Sequence, residues 1–141
     1  MRRRALLMSL PLAFLGAAVA HAEETGQYVD LAPVAMPVAA NGRLVNYVFV
    51  YVRINLTPQA DVTRLRDKEP YFRDALVRAG HRTPFTRPDD YTRLDEGRLK
   101  ATLFREAIAI AGADAIASVE ILPGGGPMRR NGLPKPGLAA R

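Results

Sequence analysis

The sequence predicts an α/β domain of the α+β kind: a small sheet with one long central strand, packed by two amphipathic helices. Three observations predict it. Apolar residues alternate strictly from Asn46 to Leu56, two later stretches carry apolar residues at helical spacing, and a short β-rich segment, Ala115 to Leu122, closes the series. The 141 residues accommodate one core with appendages, because single cores are commonly built from roughly 100 to 150 residues.

The first 22 residues read as an export signal. Arg2, Arg3 and Arg4 form a basic start, Ala5 to Ala20 an apolar stretch, and Ala20-His21-Ala22 a small-x-small cleavage site before Glu23. The apolar run of about 16 residues is shorter than the roughly 20 needed to span a bilayer, and it contains Pro11. Cleavage and export to the periplasm are therefore expected, with retention as an inner-membrane anchor as the alternative. Arg3-Arg4 followed by Leu6-Leu7 is compatible with twin-arginine export.

Residues 28 to 38 are apolar but contain Pro33 and Pro37, which suits a sheet edge and not a central strand. Asn41-Gly42 then supplies the two positive-φ positions of a tight hairpin. From Asn46 to Leu56 the strand places Val48, Val50, Val52, Ile54 and Leu56 on one face and Tyr47, Phe49, Tyr51, Arg53 and Asn55 on the other. The first face is core. The second begins aromatic and ends polar, so its first half is expected to pack against a helix, a partner or the side chains of the edge strand.

Asp61 to Ala79 has helical spacing, with Gly80 as the residue after its end. Pro70 interrupts it, so the helix either kinks or ends near Glu69 and restarts with Pro70 in a new first turn. A breaker-rich loop follows over residues 80 to 93. The second helix is capped near Asp95, presents Leu99, Leu103, Ala107, Ile110 and Ala111, and stops at Gly112. From Pro123 the composition turns to Gly, Pro and basic residues, which predicts a disordered tail over 123 to 141 after a single domain over 23 to 122.

The net charge of +6 divides unevenly. Without Arg2, Arg3 and Arg4 the 20 basic residues fall to 17 against 14 acidic ones, and Arg129, Arg130, Lys135 and Arg141 all lie in the tail, leaving 13 against 14 in residues 23 to 121. A nearly neutral domain lacks the basic face that nucleic-acid binding requires, so no nucleic-acid partner is expected. The basic tail suggests contact with an anionic membrane surface or peptidoglycan.

The inventory for chemistry is small. No cysteine occurs, which removes thiol nucleophiles, thiolate metal ligands and disulfides. His81 stands alone in the mature chain, without the spaced partners that a zinc or copper site needs. Asp89-Asp90 and Asp95-Glu96 are explained by loop and helix-start preferences. Ser118 lies in a strand without a nucleophile elbow. Gly124-Gly125-Gly126 is followed by no GK[ST] and no helix, and reads as a linker. No catalytic residue, metal or cofactor is expected.

The segment Tyr71-Phe72-Arg73-Asp74-Ala75-Leu76, preceded by Pro70 and a charged helix, follows the long strand; Tyr28-Val29-Asp30-Leu31-Ala32-Pro33 opens the domain and Ile116 to Leu122 closes it. This order resembles the periplasmic domain of the flagellar basal body-associated FliL family, similar in turn to stomatin-type scaffold domains. The resemblance implies a nonenzymatic, membrane-associated periplasmic protein of the flagellar basal body and its stator, active in motility through protein-protein interaction. Its implied partners are envelope or flagellar motor proteins and further copies of itself. Tyr47, Phe49, Tyr51, Arg73 and Asp74 form the candidate interaction surface. The alternative is a periplasmic small-ligand carrier or enzyme accessory subunit using the Tyr47, Phe49 and Tyr51 face with His81, which requires a closed pocket between those aromatics and the helices.

Overall fold

In the computed structural model, which describes residues 26–137, an antiparallel four-stranded sheet carries three helices on one face, an α+β fold. The expected export signal lies outside the described residues. Strand β1 (Tyr28–Asp30) and strand β2 (Val34–Ala40) lie end to end along one edge of β3 (Arg43–Leu56), β1 against residues 53 to 55 and β2 against residues 43 to 50. The expected edge strand is thus split at Pro33, which has no N–H for the ladder. Strand β4 (Ile116–Pro127) takes the opposite edge of β3. The hairpin joining β2 to β3 turns through Asn41 at φ 53° and Gly42 at φ 72°, the two positive values a two-residue loop needs.

Helix α1 (Val62–Asp67) is capped by Asp61, whose carboxylate accepts the Arg64 N–H. Helix α2 (Glu69–Arg82) restarts after Lys68 with Pro70 in its first turn, where a missing N–H costs nothing. The chain therefore takes the second of the two routes that Pro70 permits. Helix α3 (Glu96–Ala111) begins at Asp95, which caps the Arg98 N–H, and ends at Gly112 with φ 93°.

Helix α2 runs past Ala79 to Arg82, which corrects the expected stop at Gly80 and places His81 on the helix. Gly80 is buried, and a Cβ there would lie 2.9 Å from Met36 Sδ. It is a contact glycine, letting α2 approach β2. The core is built from the even face of β3 together with Met36, Val38, Leu65, Phe72, Leu76, Leu99 and Leu103, all almost fully buried. Each such side chain contributes about 1.5 to 3 kcal/mol of apolar transfer. The odd face of β3 lies on the other side of the sheet and receives no helix.

The expectation of disorder from Pro123 onward is also corrected. Strand β4 continues to Pro127, and beyond it Met128 N–H donates to the Tyr47 carbonyl at 2.8 Å. Backbone pairing with β3 orders this segment, and further along the tail Leu133 packs against the core. Residues 138–141 lie outside the described residues.

Candidate functional site

Alternation along β3 turns Tyr47, Phe49 and Tyr51 away from the helices. Phe49 is 39% exposed and Tyr51 38%, while Tyr47 is half-buried. Across the ladder Tyr47 faces Pro37, Phe49 faces Ala35 and Gly126, and Tyr51 faces Leu122. The lower half of the same face is polar. Arg53 grips the Asp30 carboxylate with Nε at 2.7 Å and Nη2 at 2.9 Å, and its guanidinium lies 3.8 Å from the centre of the Tyr28 ring. Asn55 Nδ2 donates to Ser118 Oγ at 2.9 Å. The aromatics and the helices lie on opposite faces of the sheet, so no pocket is enclosed between them.

Arg73 and Asp74 are not brought onto this face. Both sit on α2, where they border a groove with Pro33, Val34 and Ala35 at the β2 edge. Asp74 pairs with Arg78 at 2.9 Å, and Arg73 with Glu69 at 3.4 Å. Glu69 also accepts the Ala32 N–H at 3.0 Å, which ties the start of α2 to the link between β1 and β2. On the same edge Ala39 N–H donates to Thr86 Oγ1 at 2.9 Å. With Pro33 and Pro37 these contacts blunt the outer edge of the sheet against strand addition.

The glycine run, expected to be a linker, is part of β4 and shapes a second feature. Between the pairs Phe49 with Gly126 and Tyr51 with Leu122, three β4 residues oppose the single residue Val50. Gly124 adopts φ 106° in this bulge, and a Cβ on Gly125 would fall 2.2 Å from the Phe49 carbonyl oxygen. Only glycine fits at residue 125. Beside the bulge opens a cavity of about 370 Å³, with Val48, Phe49, Val50, Leu94 and Ile121 among its apolar lining and Thr92, Arg93, Glu96 and Arg130 among its polar lining.

Asn46 ties together the chain next to two of the lining residues, Thr92 and Arg130. It is the one buried polar residue among the described residues, at 3% exposure. Its Nδ2 donates to the Tyr91 carbonyl at 3.0 Å and the Arg129 carbonyl at 2.9 Å; its Oδ1 accepts the Tyr47 N–H at 2.9 Å and the Arg129 N–H at 3.0 Å. Its role is absent from the sequence reading, although alternation along β3 puts Asn46 on the aliphatic face, where a polar residue is itself a signal.

The loop between α2 and α3 is internally bonded. Arg87 holds the Asp89 carboxylate at 2.7 Å and keeps its pKa below the usual carboxylate range, through the side-chain hydrogen bond above all. The Thr92 hydroxyl and N–H both donate to Asp90 Oδ1, at 2.6 and 2.8 Å, and lower its pKa likewise. His81 is exposed, with Nδ1 2.9 Å from the Val77 carbonyl oxygen one turn earlier. Among the described residues no group of three or more His, Cys, Asp or Glu side chains is placed to hold a metal ion, and no helix is long and apolar enough to cross a membrane.

No family model matches the sequence, and no curated protein matches it.

Proposed function

We propose that this domain is a nonenzymatic interaction protein of the bacterial envelope, FliL-like in role, whose partner is a protein of the flagellar basal body or stator. One observation carries the reading: a sheet covered by helices on one face only, with Phe49 and Tyr51 exposed on the other. Large exposed aromatics grouped on a rigid strand, rimmed by the Arg53–Asp30 pair, are what a protein partner desolvates. Arg73 and Asp74 belong to a separate groove on α2, so the interaction centres on the aromatic face.

The experiment is genetic. Deleting the gene in a flagellated host impairs swimming and swarming; the wild-type copy restores them, and a copy carrying Phe49→Thr and Tyr51→Thr does not. Unchanged motility in the deletion strain overturns the flagellar assignment. Full rescue by the doubly substituted copy overturns the aromatic face as the contact.

A further inference from the structure

We propose that the cavity beside the β4 bulge is a binding site for a small amphiphilic anion. The apolar body of the ligand rests on Val48, Val50, Leu94 and Ile121, and its carboxylate, sulfonate or phosphate group meets Arg93 and Arg130.

The charges point to an anion. Arg53, Arg73, Arg78 and Arg87 each have a carboxylate partner within 4.0 Å. Arg93 and Arg130 have none among the described residues, as is true of Arg43, Arg64, Arg66, Arg82, Arg98, Arg105 and Arg129, and these two line the cavity. Glu96 lines it as well, so the lining itself keeps one net positive charge, and Arg93 also acts on the nearby Asp89 and Asp90 carboxylates. A guanidinium presents a planar fork of donors that suits a carboxylate, sulfonate or phosphate.

Size and rigidity point to a small ligand. At about 370 Å³ the cavity lies at the lower end of the range for small-molecule pockets. Its floor belongs to the core: Val48, Val50 and Leu94 are 6%, 5% and 3% exposed. The backbone beside it is held in place. Asn46 bonds the backbone at Tyr91 on one side and at Arg129 on the other, and Asp90 pins Thr92. The bulge forms one side of the cavity: three β4 residues oppose Val50, with Gly125 held close against the Phe49–Val50 backbone. The held backbone confines the ordering cost of binding to the Arg93 and Arg130 side chains.

The test is calorimetric titration of the full chain with anilinonaphthalene sulfonate, an apolar body bearing one anionic group, and with the uncharged phenylnaphthylamine. One sulfonate probe should bind per chain, about tenfold or more tightly than the neutral one. The variant Arg93→Gln/Arg130→Gln should lose about tenfold or more for the sulfonate and nothing for the neutral probe. Both arginines are exposed and lack ion pairs, so the circular dichroism spectrum should not change. Amide shifts on binding should centre on residues 92 to 94 and 124 to 126. Failure of the wild-type chain to bind, equal affinity for the two probes, or unchanged sulfonate affinity in the arginine variant would each overturn the site. Phe49 borders both the cavity and the aromatic face, so the arginine variant, which leaves Phe49 and Tyr51 intact, is the one that separates this site from the protein contact.

Discussion

Asn46 and Arg129 pair in both directions: the Asn46 amide nitrogen donates to the Arg129 carbonyl at 2.9 Å, and its oxygen accepts the Arg129 N–H at 3.0 Å. The side chain acts as a piece of strand, holding the segment after β4 where the backbone ladder has run out. Replacing Asn46 by Leu should strand the Tyr47 and Arg129 N–H groups and the Tyr91 and Arg129 carbonyls. The expected cost is about 2 to 4 kcal/mol, read as a fall in the urea midpoint. Trypsin should also cut at Arg129 and Arg130 faster than in the wild type, because the clasp that orders them is gone.

Much of the fold is legible locally. The Asn41-Gly42 turn, the alternation of β3, the Asp95 cap and the Gly112 stop each follow from a few neighbouring residues and are found where the pattern puts them. What was misread depends on distant partners. Gly80 has the local signature of a helix stop, and only the approach of Met36 makes it a contact glycine. The glycine run has the composition of a linker, and only the Phe49 carbonyl explains why residue 125 carries no side chain. The aromatic side of β3 was visible as a pattern, whereas the separation of Arg73 and Asp74 from it required knowing which face the helices cover. The cavity was not legible at all, since its lining comes from β3, the loop before α3 and the bulge together.

Three glycines should respond differently to alanine. Gly125→Ala places a methyl 2.2 Å from the Phe49 carbonyl oxygen, a backbone clash that the ladder relieves only by opening. A loss of more than about 2 kcal/mol is expected. Gly126→Ala meets only the end of the Arg130 side chain, at 3.6 Å, and should be nearly neutral. In Gly80→Ala the crowded neighbour is the flexible Met36 thioether at 2.9 Å, while the helix gains about 1 kcal/mol of propensity. Its net change should stay within about 1 kcal/mol of zero. Thermal denaturation of the three variants side by side reads the order directly.

The carboxylates of the loop before α3 make a pH prediction. Asp89 and Asp90 have folded-state pKa values below the ordinary one, from the Arg87 hydrogen bond and the Thr92 hydrogen bonds respectively. A depressed carboxylate stabilises the fold above its unfolded pKa, about 3.9, and the contribution is lost as the pH falls through the folded value. Carbon-detected NMR titration should therefore place both groups below the usual aspartate range. In Arg87→Gln the Asp89 titration should return toward the ordinary value, whereas Asp90, held chiefly by Thr92, should move little. Equal movement of both would show that Arg87 governs the whole loop.

The two faces of β3 should differ in what they contribute to stability. Ile54 is fully buried among the helices, and truncation to Ala removes packed volume that the core cannot refill, at about 2 to 5 kcal/mol. Phe49 and Tyr51 stand on the same strand but keep 39% and 38% of their surface in solvent. Exchange of both for Thr puts a strand-favouring β-branched residue in the ladder and gives up only partial burial against Ala35, Leu122 and Gly126. The double variant should remain within about 1 kcal/mol per site of the wild type in urea denaturation. That outcome makes the variant a clean probe of the contact face, since lost motility would then report a lost partner and not a lost fold. A collapse in stability comparable to Ile54→Ala would instead mean that the aromatics serve the domain itself.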